Sequence, residues 1–376
     1  MLTSLTIKNF RLFKELSIQR LARVNLVVGK NNSGKSALLE AVELYASNGS
    51  ITNVLIDLVT NRQETWKGQS QSEDEAAQIN PIRHLFFGHK IPEPGHHGIV
   101  VGPIGTESEQ LHIFLAAYRV EVNEDNTLRK VLVPAHDLPP DLSELELALV
   151  ARQGNGIRRI LRLERDLDSE ARSFGRNTLL GGSISKTAIE VVPTRNMTEE
   201  RLATLWDQIN LTDMADEVVV GLQLLDSRIE GVAFVEGGSR RNRYARIPII
   251  KLRHLTEPLP LKTMGDGITR IFHIIVGLVN ARNGILLIDE FENGLHWSVQ
   301  PKVWETVFRL AKLLNVQVFA TTHSRDCVVG FEHAWKDHHD SGAFFRLNAK
   351  LDHEITVTPY AYGTLSDALE TDVEIR

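Results

Sequence analysis

The stretch Val24–Glu40, VNLVVGKNNSGKSALLE, places an apolar run directly before the pattern G-x-x-x-x-G-K-S, which spans Gly29–Ser36. The run before the first glycine predicts a buried strand, and ALLEAVELYA after Ser36 carries apolar side chains at helical spacing. A strand, a glycine-rich loop and a helix in this order are the context in which the pattern forms a phosphate-binding loop. We therefore expect the loop to bind the phosphates of a nucleotide; a ligand-free glycine turn before a helix is the alternative.

The chemistry of such a loop assigns a role to each side chain. Backbone N–H groups and the N-terminus of the helix converge on phosphate oxygens. Lys35 would place its ammonium on the β- and γ-phosphates, and Ser36 would offer its hydroxyl to Mg²⁺. The residues that we assign to nucleotide binding here are Gly29, Asn31, Asn32, Ser33, Gly34, Lys35, Ser36 and Ala37.

A second motif, GILLIDEFENGLH, has four apolar residues, Ile285–Ile288, directly before Asp289 and Glu290. The pattern is typical of a buried parallel strand that delivers an aspartate to the Mg²⁺ shell at its carboxyl end, so Asp289 joins Ser36 as a predicted metal ligand. Glu290 would then polarise the attacking water as the general base. The alternative is a strand end whose acidic residues only cap a following helix.

A third motif, VQVFATTHS, is an apolar strand that ends just before His323. A histidine at the carboxyl end of a strand in the same sheet can reach the γ-phosphate, whereas taken alone it is usually a polar strand terminus. As the third motif in this order, it predicts a catalytic set of Lys35, Glu290 and His323.

The remaining chain predicts a mixed fold. Runs of apolar residues separated by polar turns indicate antiparallel strands between Gly98 and Val133. Pro140–Arg172 is interpreted as helical with a Gly-Asn-Gly break, and Thr198–Leu225 as helical with a capping start. The other predicted elements are strands Ile229–Val235 and Ala245–Leu252, a helix over Ile268–Ala281, strand Ile285–Ile288, a helix over Val299–Leu314 and strand Val316–Ala320.

Composition excludes few functions. The 376 residues are 42% hydrophobic and 24% charged, and the net charge of −6 does not indicate bulk attraction to nucleic acid. The single cysteine, Cys327, excludes an intrachain disulfide and fits a reducing compartment. The opening MLTSLTIKNFRLFKELSI alternates and is charged from Lys8 onward, which predicts neither a signal peptide nor a membrane anchor. We expect a cytoplasmic protein with no membrane partner.

Together the motifs resemble those of ABC-type ATPases of the SMC and recombination-repair group, most closely the smaller OLD-like ATPases. LTIKNFRLFKEL resembles the N-terminal strand, GKNNSGKS the Walker A motif, LLIDEFENGLH the Walker B motif with its D-loop, and ATTHS the switch histidine. The resemblance implies an α/β P-loop NTPase, an ABC ATPase-like head that binds ATP and Mg²⁺, with an antiparallel β subdomain and a helical insertion. It also implies that Arg11 touches the nucleotide.

On this basis we divide the chain into an N-terminal lobe of the head with Walker A (1–135), a mainly helical insertion (136–228) and a C-terminal lobe (229–376). The C-terminal lobe carries the signature, Walker B, D-loop and switch histidine. The Q-loop cannot be placed, because Gln63, Gln69, Gln71 and Gln78 are equivalent candidates.

The resemblance also predicts a homodimer in which two heads enclose two ATP molecules. Each head would offer a signature loop to the nucleotide of the other, and LKTMGDGITRIFHII is the matching segment, with Gly265, Asp266 and Gly267 as the contacting residues. The segment departs from the common Leu-Ser-Gly-Gly-Gln form, and Asp266 brings a carboxylate near phosphate, so the strength of the dimer is open. The alternative is a plain turn before a core helix. The D-loop, Glu292–His296, would lie at the dimer interface.

The leading functional hypothesis is Mg²⁺-dependent ATP hydrolysis that drives dimerisation and so regulates a separately encoded effector, such as a nuclease, in phage defence or DNA repair. OLD nucleases carry a Toprim domain after the ATPase and SMC-like proteins carry long coiled coils, and neither follows His323 in this sequence. The alternative is an ATP-gated scaffold or sensor with little turnover.

DNA binding stays open. Two clusters of arginines could contact a nucleic-acid backbone, although a solvated basic face is the alternative for both. They are Arg158, Arg159 and Arg162 on a predicted helix, and Arg240, Arg241, Arg243 and Arg246 near a predicted hairpin.

Overall fold

The computed structural model describes residues 1–47, 51–65, 81–122, 127–142, 144–154, 156–162, 188–237, 246–350, 354–371 and 373. Its helices are α1 (Lys35–Ala46), α2 (Ile51–Asn61), α3 (Glu199–Ile209), α4 (Asp213–Gln223), α5 (Asp266–Asn280), α6 (Gln300–Leu313), α7 (Arg325–Trp335) and α8 (Tyr362–Glu370). Its strands are β1 (Leu5–Phe10), β2 (Phe13–Ile18), β3 (Val24–Val28), β4 (Ile99–Gly102), β5 (Leu111–Val122), β6 (Leu128–Val133), β7 (Glu146–Gln153), β8 (Gly156–Arg162), β9 (Ile189–Val192), β10 (Ile229–Glu236), β11 (Arg246–Leu252), β12 (Leu259–Pro260), β13 (Ile285–Ile288), β14 (Gln317–Thr322), β15 (Gly342–Ala349) and β16 (Ile355–Tyr360).

The central sheet has the strand order β16-β15-β3-β14-β13-β9. The strands from β15 to β9 run parallel, and β16 is an antiparallel edge strand. Parallel strands deliver their carboxyl ends to one edge of a sheet, which is where ligands bind in open α/β folds. The three motifs therefore meet at one edge, because they follow the neighbouring strands β3, β14 and β13.

The central strands are apolar along their whole length because both faces of the sheet are covered. Leu26 and Leu286 belong to a core formed with helices α3 to α7 on one face. Val27 and Leu287 belong to a second core on the other face, formed with α1, α2 and the antiparallel sheet. Burial on both sides explains why β3, β13 and β14 show continuous runs rather than alternation.

The antiparallel sheet has the order β2-β1-β4-β5-β7-β8, with β6 paired to β5. It confirms the strands predicted between Gly98 and Val133. In the described part of Pro140–Arg172 the predicted helix is wrong, because β7 and β8 form an antiparallel hairpin there. Gly154 and Gly156 were interpreted as a helix break. Gly154 instead lies in the turn with φ at 61°, and Gly156 begins β8 and pairs with Gln153. The backbone of residues 158, 159 and 162 therefore lies on a strand, not a helix.

Several other predictions are confirmed. Strands β10 and β11 pair antiparallel, and α5 and α6 match the predicted helices within two residues at each end. Thr198 caps α3 by accepting a hydrogen bond from the Arg201 backbone N–H. The predicted helical segment Thr198–Leu225 consists of two helices, α3 and α4, and Thr212 caps the second of them. Arg240, Arg241 and Arg243 lie outside the described residues, as do residues 163–187.

The lobe boundaries at 135 and 228 stay a prediction. Among the described residues, no helix is long and apolar enough to cross a membrane.

Candidate functional site

The phosphate loop between β3 and α1 depends on two glycines. A Cβ atom on Gly29 would lie 2.4 Å from the Ser33 hydroxyl oxygen, and one on Gly34 would lie 2.9 Å from the Phe13 ring. Gly34 also has a φ of 94°, which L-residues with a side chain rarely adopt. The loop can therefore follow this path only with glycine at both positions.

The loop offers hydrogen-bond donors toward an anion. The residue before α1 makes no side-chain cap, so the first N–H groups of the helix point outward without a capping partner. The Ser33 hydroxyl oxygen is buried and has no hydrogen-bond partner in the described part of the chain. A phosphate at the N-terminus of α1 would satisfy both kinds of group, so the loop fits a phosphate ligand.

Lys35 lies folded over this loop. Its ammonium nitrogen donates to the carbonyl oxygens of Gly29 at 2.7 Å and Lys30 at 3.0 Å. Burial lowers the pKa of Lys35 below its ordinary value, and the carboxylates of Asp289, Glu290 and Glu292 oppose part of that shift. The cation thus lies between the phosphate loop and the acidic end of β13.

Asp289, directly after β13, contacts three hydroxyl groups from three separate segments of the chain. The Ser36 hydroxyl lies 3.1 and 3.2 Å from its two carboxylate oxygens. Thr321, at the end of β14, donates to one oxygen at 2.6 Å, and Thr194, after β9, donates to the other at 3.0 Å. Carboxylate and hydroxyl oxygens are ligands that Mg²⁺ prefers, and this ion keeps several waters and binds substrate phosphates as well. Ser36 and Asp289 therefore fit a Mg²⁺ ion shared with a nucleotide.

No group of three or more His, Cys, Asp or Glu residues suited to a metal ion occurs in the described ranges.

Glu290 has a left-handed backbone, with φ at 51°. Its N–H donates to the Thr321 hydroxyl at 2.9 Å, and its carbonyl accepts from Arg270 at 3.0 Å. Left-handed backbone at a non-glycine residue is uncommon and is concentrated at functional sites. Bonds on both sides of the residue hold the Glu290 backbone in this conformation.

His323, after β14, lies beside this carboxylate. Its Nδ1 atom is 3.7 Å from a carboxylate oxygen of Glu290 and 3.2 Å from one of Glu292. The structure thus brings the predicted catalytic residues Glu290 and His323 together at the same edge of the sheet as Lys35. Their roles in catalysis stay predictions.

The predicted signature residues Gly265–Gly267 form the N-cap and the first two positions of α5. Gly265 has a φ of 92°, and a Cβ on Gly267 would lie 3.2 Å from the carbonyl oxygen of Gly294 in the D-loop. A Cβ on Gly294 would lie 3.5 Å from that of Asp266. The two loops expected at a dimer interface are therefore packed against each other within one chain.

Arg270, one turn into α5, joins this helix to the sheet edge. Its guanidinium donates to the carbonyl oxygens of Pro193, Asp289 and Glu290 at 2.5, 2.8 and 3.0 Å. The side chain is 1% exposed, and burial lowers its pKa to about 10. The sequence interpretation missed Arg270, because its neighbours in space lie in two other segments of the chain.

Arg11 lies in the turn between β1 and β2. Its guanidinium forms ion pairs with Glu40 and Glu64 at 2.9 and 2.6 Å and also donates to the carbonyl oxygens of Leu58 and His84. These bonds tie the β1–β2 turn to α1 and α2. The predicted contact between Arg11 and nucleotide stays a prediction.

The sequence interpretation also missed the loop after β9. Strand β9 pairs with β13, and the following Thr194 reaches Asp289. The apolar run before Pro193 was the available signal. Of the four glutamines considered for the Q-loop, Gln63 lies in a turn after α2, and Gln69, Gln71 and Gln78 lie outside the described residues.

The strand order and the edge cluster define a P-loop NTPase. The family model of the AAA ATPase domain matches residues 1–90 and 192–328, more than half of the chain, and the two segments carry all three motifs. The chain belongs to the AAA ATPase domain family, and this membership supports ATP binding and hydrolysis.

Two curated proteins are similar in sequence. The "ATP/GTP phosphatase" of Helicobacter pylori is 25% identical over 350 residues, which cover 87% of this chain and 86% of that protein. An uncharacterized protein of Methanocaldococcus jannaschii is 45% identical over 47 residues, which cover 12% of this chain and 22% of that protein.

Solved structures with low similarity include SMC heads. The SMC head bound to the C-winged helix domain of ScpA has a TM-score of 0.48 at 13% identity, covering 98% of this chain and 99% of that chain. The SMC head domain from Thermotoga maritima has a TM-score of 0.43 at 11% identity, covering 96% and 98%.

Proposed function

We propose that this chain is a Mg²⁺-dependent ATPase whose nucleotide state controls its pairing with a second copy. The observation that carries the proposal is the bond between the Ser36 hydroxyl and the Asp289 carboxylate, which joins the phosphate loop to the acidic strand end. Family membership supports the ATPase part. The pairing is proposed from the sequence of the glycine loop and the D-loop.

In the proposed reaction, the phosphate loop and Lys35 bind the β- and γ-phosphates of ATP. Ser36 and Asp289 hold Mg²⁺, which when bound neutralises charge on these phosphates. Glu290 orients and polarises the attacking water, and His323 contacts the γ-phosphate. Thr321 supports both acidic residues, because its one hydroxyl donates to the Asp289 carboxylate and accepts from the Glu290 N–H.

Gly265, Asp266 and Gly267 are proposed to contact the nucleotide held by the second copy. The helix N-terminus that they form suits an anion, whereas the Asp266 carboxylate opposes it. We further propose that the ATP-bound pair regulates a separately encoded effector, such as a nuclease, in phage defence or DNA repair. This last step is analogy with OLD-like and SMC-like ATPases.

Phosphate release by the purified chain, with ATP and GTP compared in parallel, tests the enzymatic part. We expect Mg²⁺-dependent ATP turnover that Lys35→Ala and Glu290→Gln abolish, with nucleotide binding kept only in Glu290→Gln. Sedimentation of Glu290→Gln should show a dimer with ATP and a monomer without it. Turnover in wild type that Glu290→Gln leaves unchanged would contradict the assignment of the general base.

The second candidate is an ATP-gated scaffold or sensor, favoured by Asp266 in the glycine loop. Equal and negligible turnover in wild type and Glu290→Gln, together with ATP-dependent pairing in both, would select it. Pull-down with and without ATP, followed by a nuclease assay on the recovered complex, tests the effector. Recovery of the same effector with and without ATP would contradict the proposal that nucleotide controls its binding.

A further inference from the structure

Glu292, the first residue of the D-loop, is bonded to the switch histidine. One of its carboxylate oxygens, Oε1, accepts from the backbone N–H of His323 at 3.0 Å and lies 3.2 Å from the ring atom Nδ1. The side chain is only 11% exposed. Its other oxygen, Oε2, is buried and has no hydrogen-bond partner among the described residues.

The 3.2 Å ion-pair contact between Nδ1 and the Glu292 carboxylate favours one tautomer of the ring. A carboxylate can only accept hydrogen bonds, so Nδ1 of His323 carries a proton when it bonds to Glu292. The bond made by one ring nitrogen sets the tautomer and the orientation of the ring. Any contact between the ring and a nucleotide then runs through Nε2.

Glu290 does not provide this orientation. Its nearest carboxylate oxygen is 3.7 Å from Nδ1, beyond the range of a hydrogen bond. Of the two carboxylates, Glu292 therefore makes the shorter contact with the ring and also bonds to the backbone of the same residue.

We propose that Glu292 is a positioning residue that holds His323 in the orientation needed to contact the γ-phosphate. The inference rests on the proposed ATPase function. Because Glu292 begins the D-loop, it also joins that loop to His323, so a shift of the D-loop on pairing would move the ring.

Steady-state kinetics of Glu292→Ala and Glu292→Gln test the proposal. We expect Glu292→Ala to lower kcat by about tenfold to a hundredfold, the range for a lost hydrogen bond to a charged group, with little change in KM. Glu292→Gln keeps an acceptor oxygen and should recover part of kcat. Glu305→Ala is the matched control, since Glu305 pairs with His338 at 3.0 Å in another part of the chain and should leave kcat unchanged.

A double-mutant cycle with His323→Ala separates positioning from general packing. If Glu292 acts through His323, Glu292→Ala should cost no further activity in the His323→Ala background. If the loss of kcat in the double variant equals the product of the two single-variant losses, the proposal is overturned.

Imidazole ¹⁵N spectra provide a readout that does not require turnover. The His323 signal, assigned by its absence in His323→Ala, should report a protonated Nδ1 in wild type and a changed tautomer distribution in Glu292→Ala. An unchanged His323 tautomer in Glu292→Ala would overturn the proposal even if the chain hydrolyses nothing, whereas absent turnover alone would count only against the ATPase assignment.

Discussion

The Nη2 atom of Arg270 lies 3.0 Å from the backbone carbonyl oxygen of Glu290. The helix that follows the glycine loop is thereby bonded to the main chain of the proposed general base. A displacement of α5 by a second copy would act on Glu290 directly, without passing through the nucleotide.

Replacing Arg270 by lysine tests this connection. Lysine keeps the charge but lacks the planar guanidinium that donates to all three carbonyl oxygens. At least one buried carbonyl oxygen therefore loses its hydrogen-bond donor. We expect the free energy of unfolding to fall by about 1–3 kcal/mol, measured by urea titration, together with a lower kcat. Arg228→Lys is the control, because that arginine pairs with Asp226 at the surface and should leave the midpoint unchanged. Equal midpoints for both variants would contradict the structural role of Arg270.

Replacing Thr321 by valine keeps the shape of the side chain and removes its hydroxyl. Asp289 loses a donor at 2.6 Å and the Glu290 N–H loses its acceptor. We expect kcat to fall by about tenfold or more while the affinity for ATP changes little. Thr306→Val, which removes a buried hydroxyl bonded within α6, should leave kcat unchanged. A loss confined to ATP affinity would contradict the proposed support of Glu290.

His273 predicts a dependence of stability on pH. Burial, and then the charges of Arg270 and Lys262, lower its pKa from 6.5 to about 4, and its Nδ1 accepts the Met197 N–H. A histidine with a lowered folded-state pKa contributes stability that is fully present above pH 6.5 and is lost as pH falls toward 4. The loss amounts to about 3 kcal/mol.

His273→Asn keeps an acceptor near the position of Nδ1 but does not titrate. The difference in unfolding free energy between wild type and this variant should therefore change across that pH interval, with wild type losing more. A constant difference from pH 7 to pH 4 would show that His273 is not the titrating group.

Asp266→Asn tests the proposed contact with a second copy. The carboxylate opposes an anion at the start of α5, so its removal should tighten the ATP-dependent dimer severalfold in the Glu290→Gln background, as measured by sedimentation. Asp213→Asn is matched to it, because Asp213 also occupies the first position of a helix, α4, and should not affect pairing. A weaker dimer in Asp266→Asn would contradict placement of this loop at phosphate.

Local pattern was sufficient for the parts of the fold where one segment determines its own structure. The strands β3 and β13 and the phosphate loop follow from unbroken apolar runs and from glycines whose positions a side chain would fill. The hairpin of β7 and β8 was misinterpreted, because ELALVARQ suits a helix until its pairing with β5 is known. Thr194 and Arg270 act only through distant carbonyl and carboxylate groups, which no local pattern reveals.

The left-handed backbone of Glu290 has an energetic consequence. Such a conformation costs on the order of 1–3 kcal/mol, and Thr321 and Arg270 of the same chain offset that cost. The Glu290 backbone is therefore preorganised by folding, before any nucleotide or second copy arrives. In the proposed ATPase, less of the binding free energy of ATP would be spent on arranging the site. More of that binding free energy would remain to hold two copies together, although the Asp266 carboxylate opposes the contact between the glycine loop and phosphate.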